Sequence, residues 1–215
     1  MVAEFETAQK GEEALNEDKI VQGTVLWLPP EEELPKKAVK RAHGKGAVRE
    51  NIYDHPVVII SRPDYSVVHF HLITSFKGRL LHQIYGKANE FHTSCRSWHL
   101  PIAPTPPHPD AKSKNSKKRF PTLRLDRNEV LRRDSYVNLR NVYKINWSYL
   151  HQYPNRKCPK HNYCFESVSR IQLIDKSRRL TGYKPGSQYR ETIRPSKPKT
   201  TLETQVESRV VQAEH

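Results

Sequence analysis

Apolar residues gather in short runs separated by long polar stretches, and the runs have the length and β-branched content of strands. The first runs over 21–28 and is stopped by Pro29-Pro30. The second, His55-Pro56-Val57-Val58-Ile59-Ile60-Ser61, is apolar at successive positions, which predicts a strand covered on both faces in the middle of a sheet. The third spans 66–74 and follows Arg62-Pro63-Asp64-Tyr65, a good turn sequence, so the second and third runs predict a hairpin. Period 2 puts Val68, Phe70, Leu72 and Thr74 on one face of the third strand, and Val67, His69, His71 and Ile73 on the other. The first face is the better core candidate; the histidines of the second read as solvent-facing.

Further along, Trp98-His99-Leu100-Pro101-Ile102 predicts an edge strand ended by prolines. Thr122-Leu123-Arg124-Leu125 and Ser135-Tyr136-Val137-Asn138-Leu139 predict strands flanking a charged turn, and Asn141-Val142-Tyr143-Lys144-Ile145 predicts another. Residues 79–85 read as a short helix or an irregular cover. Phe165, Val168, Ile171 and Leu173 stand near helical spacing, so one C-terminal helix is expected to close the domain. Residues 1–20 and 176–215 are polar, with few large apolar groups, and disorder is expected in both. One domain over 21–175 follows, with insertions at 31–54 and 103–120.

Charge changes the picture. Residues 1–34 hold nine acids against Lys10 and Lys19, a net of −7, so the remainder carries +21 to reach the total of +14. A basic body attracts polyanions, nucleic acid above all, through release of their counterions. The acidic N-terminal segment is placed to mask such a surface. The densest basic run is Lys112, Lys114, Lys117, Lys118 and Arg119, within the second insertion. The N-terminus is acidic and lacks an apolar leader, and no run approaches the roughly 20 apolar residues of a membrane span. With three cysteines and no even framework, the expectation is an intracellular protein, cytoplasmic or nuclear, with reduced thiols and no membrane partner.

The order of these strands resembles the PemK/MazF-like toxin superfamily over about residues 21–175, and the spelling is also similar to a set of uncharacterised fungal proteins. The motifs that carry the resemblance are Pro56 in the second strand, Thr74 with Ser75 and Lys77-Gly78 at the end of the third, and Ser135-Tyr136-Val137-Asn138-Leu139 followed by Asn141-Val142-Tyr143. It implies a mainly β fold, a small SH3-like β-barrel with a C-terminal helix and long loops. The family often cleaves RNA without a metal, and its catalytic arginine position is occupied here by His55.

Metal-free RNA cleavage needs a group to take the 2′-OH proton, a donor for the leaving oxygen and cations for the developing charge. His55 and Thr74, with Lys77, Arg79 or Arg62 nearby, are the catalytic candidates for such a site. Nucleic-acid contacts are expected from Lys77, Arg79, Lys112, Lys114, Lys117, Lys118 and Arg119. Two sets of metal-ligand types were weighed: His69-x-His71, and Cys158, His161 and Cys164 with His151 upstream. The first has the geometry of several zinc and iron sites but no carboxylate spaced to help, and the second lacks the spacing of a known finger, so no metal and no cofactor is expected. Three readings result: an RNA-binding barrel that is non-catalytic or degenerate, a metal-independent endoribonuclease using His55 and Thr74, and a protein-interaction module for acidic partners.

Overall fold

The hairpin predicted over 55–74 is the centre of the observed sheet. The computed structural model describes residues 15, 17–43, 48, 52–155, 161–186 and 188. It is mainly β, with a seven-stranded antiparallel sheet and four α-helices among the described residues. The strands are β1 (Val25–Leu28), β2 (Lys40–Arg41), β3 (His55–Ser61), β4 (Val67–Thr74), β5 (His99–Ile102), β6 (Ser135–Asn146) and β7 (His151–Gln152). The helices are α1 (Leu81–Ile84), α2 (Glu90–Ser97), α3 (Lys114–Arg119) and α4 (Ser167–Thr181). Strand order is β2-β6-β4-β3-β1-β7, with β5 pairing to the first part of β6.

Because β3 lies between β1 and β4, both its faces are covered. Val58 and Ile60 enter one core with Val25, Ile73, Leu100, Val137, Phe165 and Leu173. Val57 and Ile59 enter a second with Leu26, Leu28, Phe70, Leu72, Tyr143 and Ile145. The expected core residues Val58, Ile60, Phe70 and Leu72 are 0, 1, 0 and 8% exposed.

The two late strands predicted at 135–139 and 141–145 are one twelve-residue strand, β6, with a bulge. Phe70 faces Tyr143 while Leu72 faces Asn138, so His71 alone stands opposite residues 139–142. Bulges leave backbone groups without ladder partners, and here the His71 imidazole takes one up: Nδ1–H donates to the Asn141 carbonyl (2.8 Å). The expectation that His69 and His71 face solvent is therefore corrected. His71 is fully buried and His69 half-buried, because α4 covers the face that carries them.

Helix α4 lies where a helix is predicted, but rotated from the expected face. Val168 and Ile171 are 63 and 69% exposed, whereas Ser169, Leu173, Lys176 and Ser177 are buried. The surface beneath explains it, since it offers polar groups that an all-apolar face would strand. Ser177 Oγ bonds His71 Nε2 (2.7 Å), and Ser169 Oγ accepts from Arg124 N–H (2.8 Å).

Other boundaries shift as well. The first strand starts at Val25, since 21–24 form a turn whose Gly23 takes φ +95° and whose missing Cβ leaves room for Arg170. The 122–125 segment makes single bridges from Leu123 and Leu125 instead of a strand. Both expected insertions contribute to the cores: Val39 and Ile52 are buried in the first, Phe120 in the second. Order begins before residue 21, with a 3-10 turn at Glu17–Lys19 and a buried Ile20, and runs past residue 175 through α4 to a buried Tyr183. Residues 1–14 and 189–215 of the expected tails lie outside the described residues, as does Cys158.

The path of regular strands is open between β1 and β5. Backbone bonds cross the gap: Val25 N–H to Tyr163 O (2.8 Å), Phe165 N–H to Gly23 O (3.0 Å), Asp126 N–H to Cys164 O (2.7 Å) and Leu123 N–H to Pro101 O (2.8 Å). No helix of the described residues is long and apolar enough to cross a membrane.

Candidate nucleic-acid interface and the His55–Thr74 end

His55 opens β3 and Thr74 closes β4, so pairing of these strands brings both to one end of the sheet. The register of this pair, with Val57 opposite Leu72, sets them opposite each other when continued by two residues. A carbonyl only accepts, so the 2.6 Å contact between His55 Nδ1 and the Tyr53 oxygen places the ring proton on Nδ1 and leaves Nε2 as an acceptor. That is a base-competent tautomer.

Acidic residues stand on the β1 side of His55. Pairing of β1 with β3 lays the 3-10 turn Glu31–Glu33 beside residues 53–55, and Asp54 N–H donates to the Pro29 carbonyl (3.3 Å). The Tyr53 hydroxyl bonds Glu31; burial first, and then that carboxylate, raise its pKa. Arg62, a candidate cation for this chemistry, follows the opposite end of β3, roughly 20 Å away at strand rise. There it is tied to Glu17 (2.6 Å) and the Tyr65 carbonyl (2.8 Å), so the acidic N-terminal segment engages this one arginine.

Lys77 and Arg79 do belong to the Thr74 end, and both are exposed. They follow a left-handed run in which Phe76, Lys77 and Gly78 have φ of 48, 56 and 83°. The run turns the Phe76 ring onto His99 (5.1 Å) and Tyr136 (5.7 Å). Burial pushes His99 down to about 4, so it is neutral at pH 7 and acts as a packing and hydrogen-bonding group, donating from Nδ1 to the Cys95 carbonyl (2.8 Å).

The Lys112–Arg119 run occupies a second place. Ser113 caps α3 by accepting from Ser116 N–H (3.1 Å), and Lys112, Lys114, Lys117, Lys118 and Arg119 are all exposed. Phe120 anchors the helix. Its ring stacks on His108 at 4.1 Å and 7°, and Lys176 Nζ of α4 sits 4.4 Å from its centre. Lys176 is lowered to about 8 by burial, and further by Arg119 and Arg179. Arg119 Cζ lies 5.4 Å from the same ring centre, so the basic end of α3 meets α4 at Phe120. Asp175 is held by Arg178 (3.1 Å) and Arg179 (2.6 Å), and both arginines are exposed.

Sequence reasoning missed Lys176, Arg178 and Arg179 by ending the domain at 175. The signal was present: Ser169, Leu173, Lys176 and Ser177 keep helical spacing, and Gly182 takes φ +72° just past the helix end. Of the metal-ligand types weighed, His71 is committed to Asn141 and Ser177, and His69 Nδ1 to Tyr183 Oη. Among the described residues no group of three or more His, Cys, Asp or Glu is arranged to hold a metal ion. No family model matches the chain, and no curated protein matches it.

Proposed function

We propose that this protein is a non-catalytic, RNA-binding barrel of the SH3-like, PemK/MazF kind, which takes the nucleic-acid backbone on the joined basic face of α3 and α4. The observation that carries the reading is the meeting of α3 and α4 on one ring: Lys176 Nζ lies 4.4 Å and Arg119 Cζ 5.4 Å from the centre of Phe120, which joins two cationic helices in one surface. The backbone bonds from β1 through 163–166 and 123–126 to β5 favour a closed barrel. A surface on which cations outnumber acids, five on Lys112–Arg119 and two arginines sharing Asp175, attracts phosphates at a distance and gains affinity as counterions leave. The endoribonuclease alternative needs cations around His55; the acidic turn Glu31–Glu33 on its β1 side weighs against it, with Lys77 and Arg79 on the Thr74 side as the exposed cations.

The test is fluorescence anisotropy with a single-stranded RNA over a salt series. Affinity is expected to fall steeply with salt. Replacing Lys112, Lys114, Lys117, Lys118 and Arg119 together lowers the log–log slope by up to about 3.5, at about 0.7 per phosphate contact. An unchanged slope moves the contact surface elsewhere. No binding at low salt leaves the protein-interaction module for acidic partners as the better reading.

A further inference from the structure

A cluster of cationic side chains on the sheet itself lies apart from α3. Three neighbouring strands put Lys40 (β2), Lys144 (β6) and His69 (β4) in one cross-strand row: Lys40 faces Lys144, and Lys144 faces His69. Directly opposed residues point to the same side of a sheet, and like charges so placed repel. Among the described residues neither ammonium has a carboxylate or other hydrogen-bond partner. The row lines an open pocket of about 480 Å³, whose wall also includes Asn146, Tyr149 and Asp64. The volume is that of a small-molecule site.

The one acid of the wall is already engaged. Asp64 Oδ1 accepts from Ser66 N–H (2.9 Å) and Val67 N–H (2.8 Å), closing the turn between β3 and β4. The imidazole of the row is oriented from behind. Gln188 Nε2–H donates to Ser61 Oγ (3.3 Å), Ser61 bonds the Tyr183 hydroxyl, and Tyr183 Oη bonds His69 Nδ1. Burial first, and then Lys144, lower the His69 pKa, against Asp64, which raises it. A Tyr183 hydroxyl that donates to Nδ1 keeps the ring proton on Nε2. The row thus offers two ammonium groups and one N–H donor, with an amide and a phenol beside them.

We propose that this pocket binds a phosphate monoester, with the phosphate on Lys40, Lys144 and His69 and the remainder of a nucleotide against Tyr149. The proposal is independent of the polyanion face on α3 and α4. The same chemistry is carried by a free mononucleotide and by the 5′-phosphorylated end of a strand, and the experiment separates them.

Titration calorimetry on the full chain uses inorganic phosphate, adenosine monophosphate, and one short oligoribonucleotide with and without its 5′-phosphate. Phosphate and the mononucleotide bind, and Lys40→Gln and Lys144→Gln each weaken them about tenfold. Lys117→Gln on α3 leaves them unchanged. Tyr183→Phe, which removes the relay proton, weakens them several-fold. A gain from the oligonucleotide's 5′-phosphate that vanishes in Lys144→Gln assigns the strand end; no gain assigns the free nucleotide. No binding of phosphate or mononucleotide at millimolar concentration overturns the proposal, as does binding that survives Lys40→Gln with Lys144→Gln. RNA anisotropy on the same variants separates this outcome from failure of the α3–α4 face, which these substitutions leave intact.

Discussion

The His55–Thr74 end and the α3–α4 face were built from residues of similar promise, and the structure treats them differently. At the sheet end, strand pairing brings the two candidate side chains together but lays an acidic turn beside them. At the helix face, no ladder fixes the geometry, yet Phe120 and Lys176 lock two basic segments into one surface. Juxtaposition of catalytic residue types is therefore not a site unless the local field matches the ligand; for a polyanion the field alone is most of what is required.

The comparison breaks most readily where α4 is seated. His71 is buried and joins the β6 bulge to Ser177 of α4, so His71→Ala leaves a carbonyl and a hydroxyl unpaired. A loss of about 3 kcal/mol in urea unfolding is expected, with weakened RNA binding as α4 loosens. The conservative change is milder: Ser177→Ala, removing one bond, costs about 1 kcal/mol in the same assay.

Acid attacks the same link. His71 is lowered to about 4 by burial, opposed by its bond to Asn141, and His99 is also lowered to about 4. The unfolded chain binds these protons near pH 6.5 and the folded chain only near 4. Stability is thus fully present above about pH 6.5 and falls as pH drops towards 4, by about 3 kcal/mol for His71. Urea midpoints at pH 7.5, 6 and 4.5 check this, and a flat profile would contradict the buried neutral histidines.

Two smaller effects sharpen the contrast between the regions. Arg178→Gln with Arg179→Gln is expected to weaken RNA binding about tenfold at low salt and to lower the salt slope by about 1.4. His55→Ala is expected to change RNA affinity less than about twofold, since the proposed phosphate contacts lie on α3 and α4. Metal-free cleavage of RNA by the wild type, lost in His55→Ala, would reverse the ranking of the two regions.

Much of the fold is legible in residue order. Four apolar runs and a Pro-Asp turn are enough to place the central hairpin, because a strand apolar at successive positions has to be covered on both faces. The rotation of α4 was not legible: Val168 and Ile171 look like its buried face, but the hydrophobic pattern of a helix cannot announce that the sheet below presents a histidine and a backbone N–H. Likewise the basic run at 112–119 is plain in the sequence, while its partner cations on α4 were read as tail.

What the sequence by itself determined is local and additive: strand positions, the acidic start, the basic body and the residue types available for chemistry. Only the tertiary structure decided which charges meet. Lys40 and Lys144 lie 104 positions apart and Arg119 and Lys176 lie 57 apart, and spacing of that size carries no information about distance. Strand register brings the first pair together, and the burial of Phe120 brings the second. The charges gathered at each place, cations of α3 and α4 at Phe120 and the turn Glu31–Glu33 near His55, come together through those long-range contacts, because charges act through space and not along the chain.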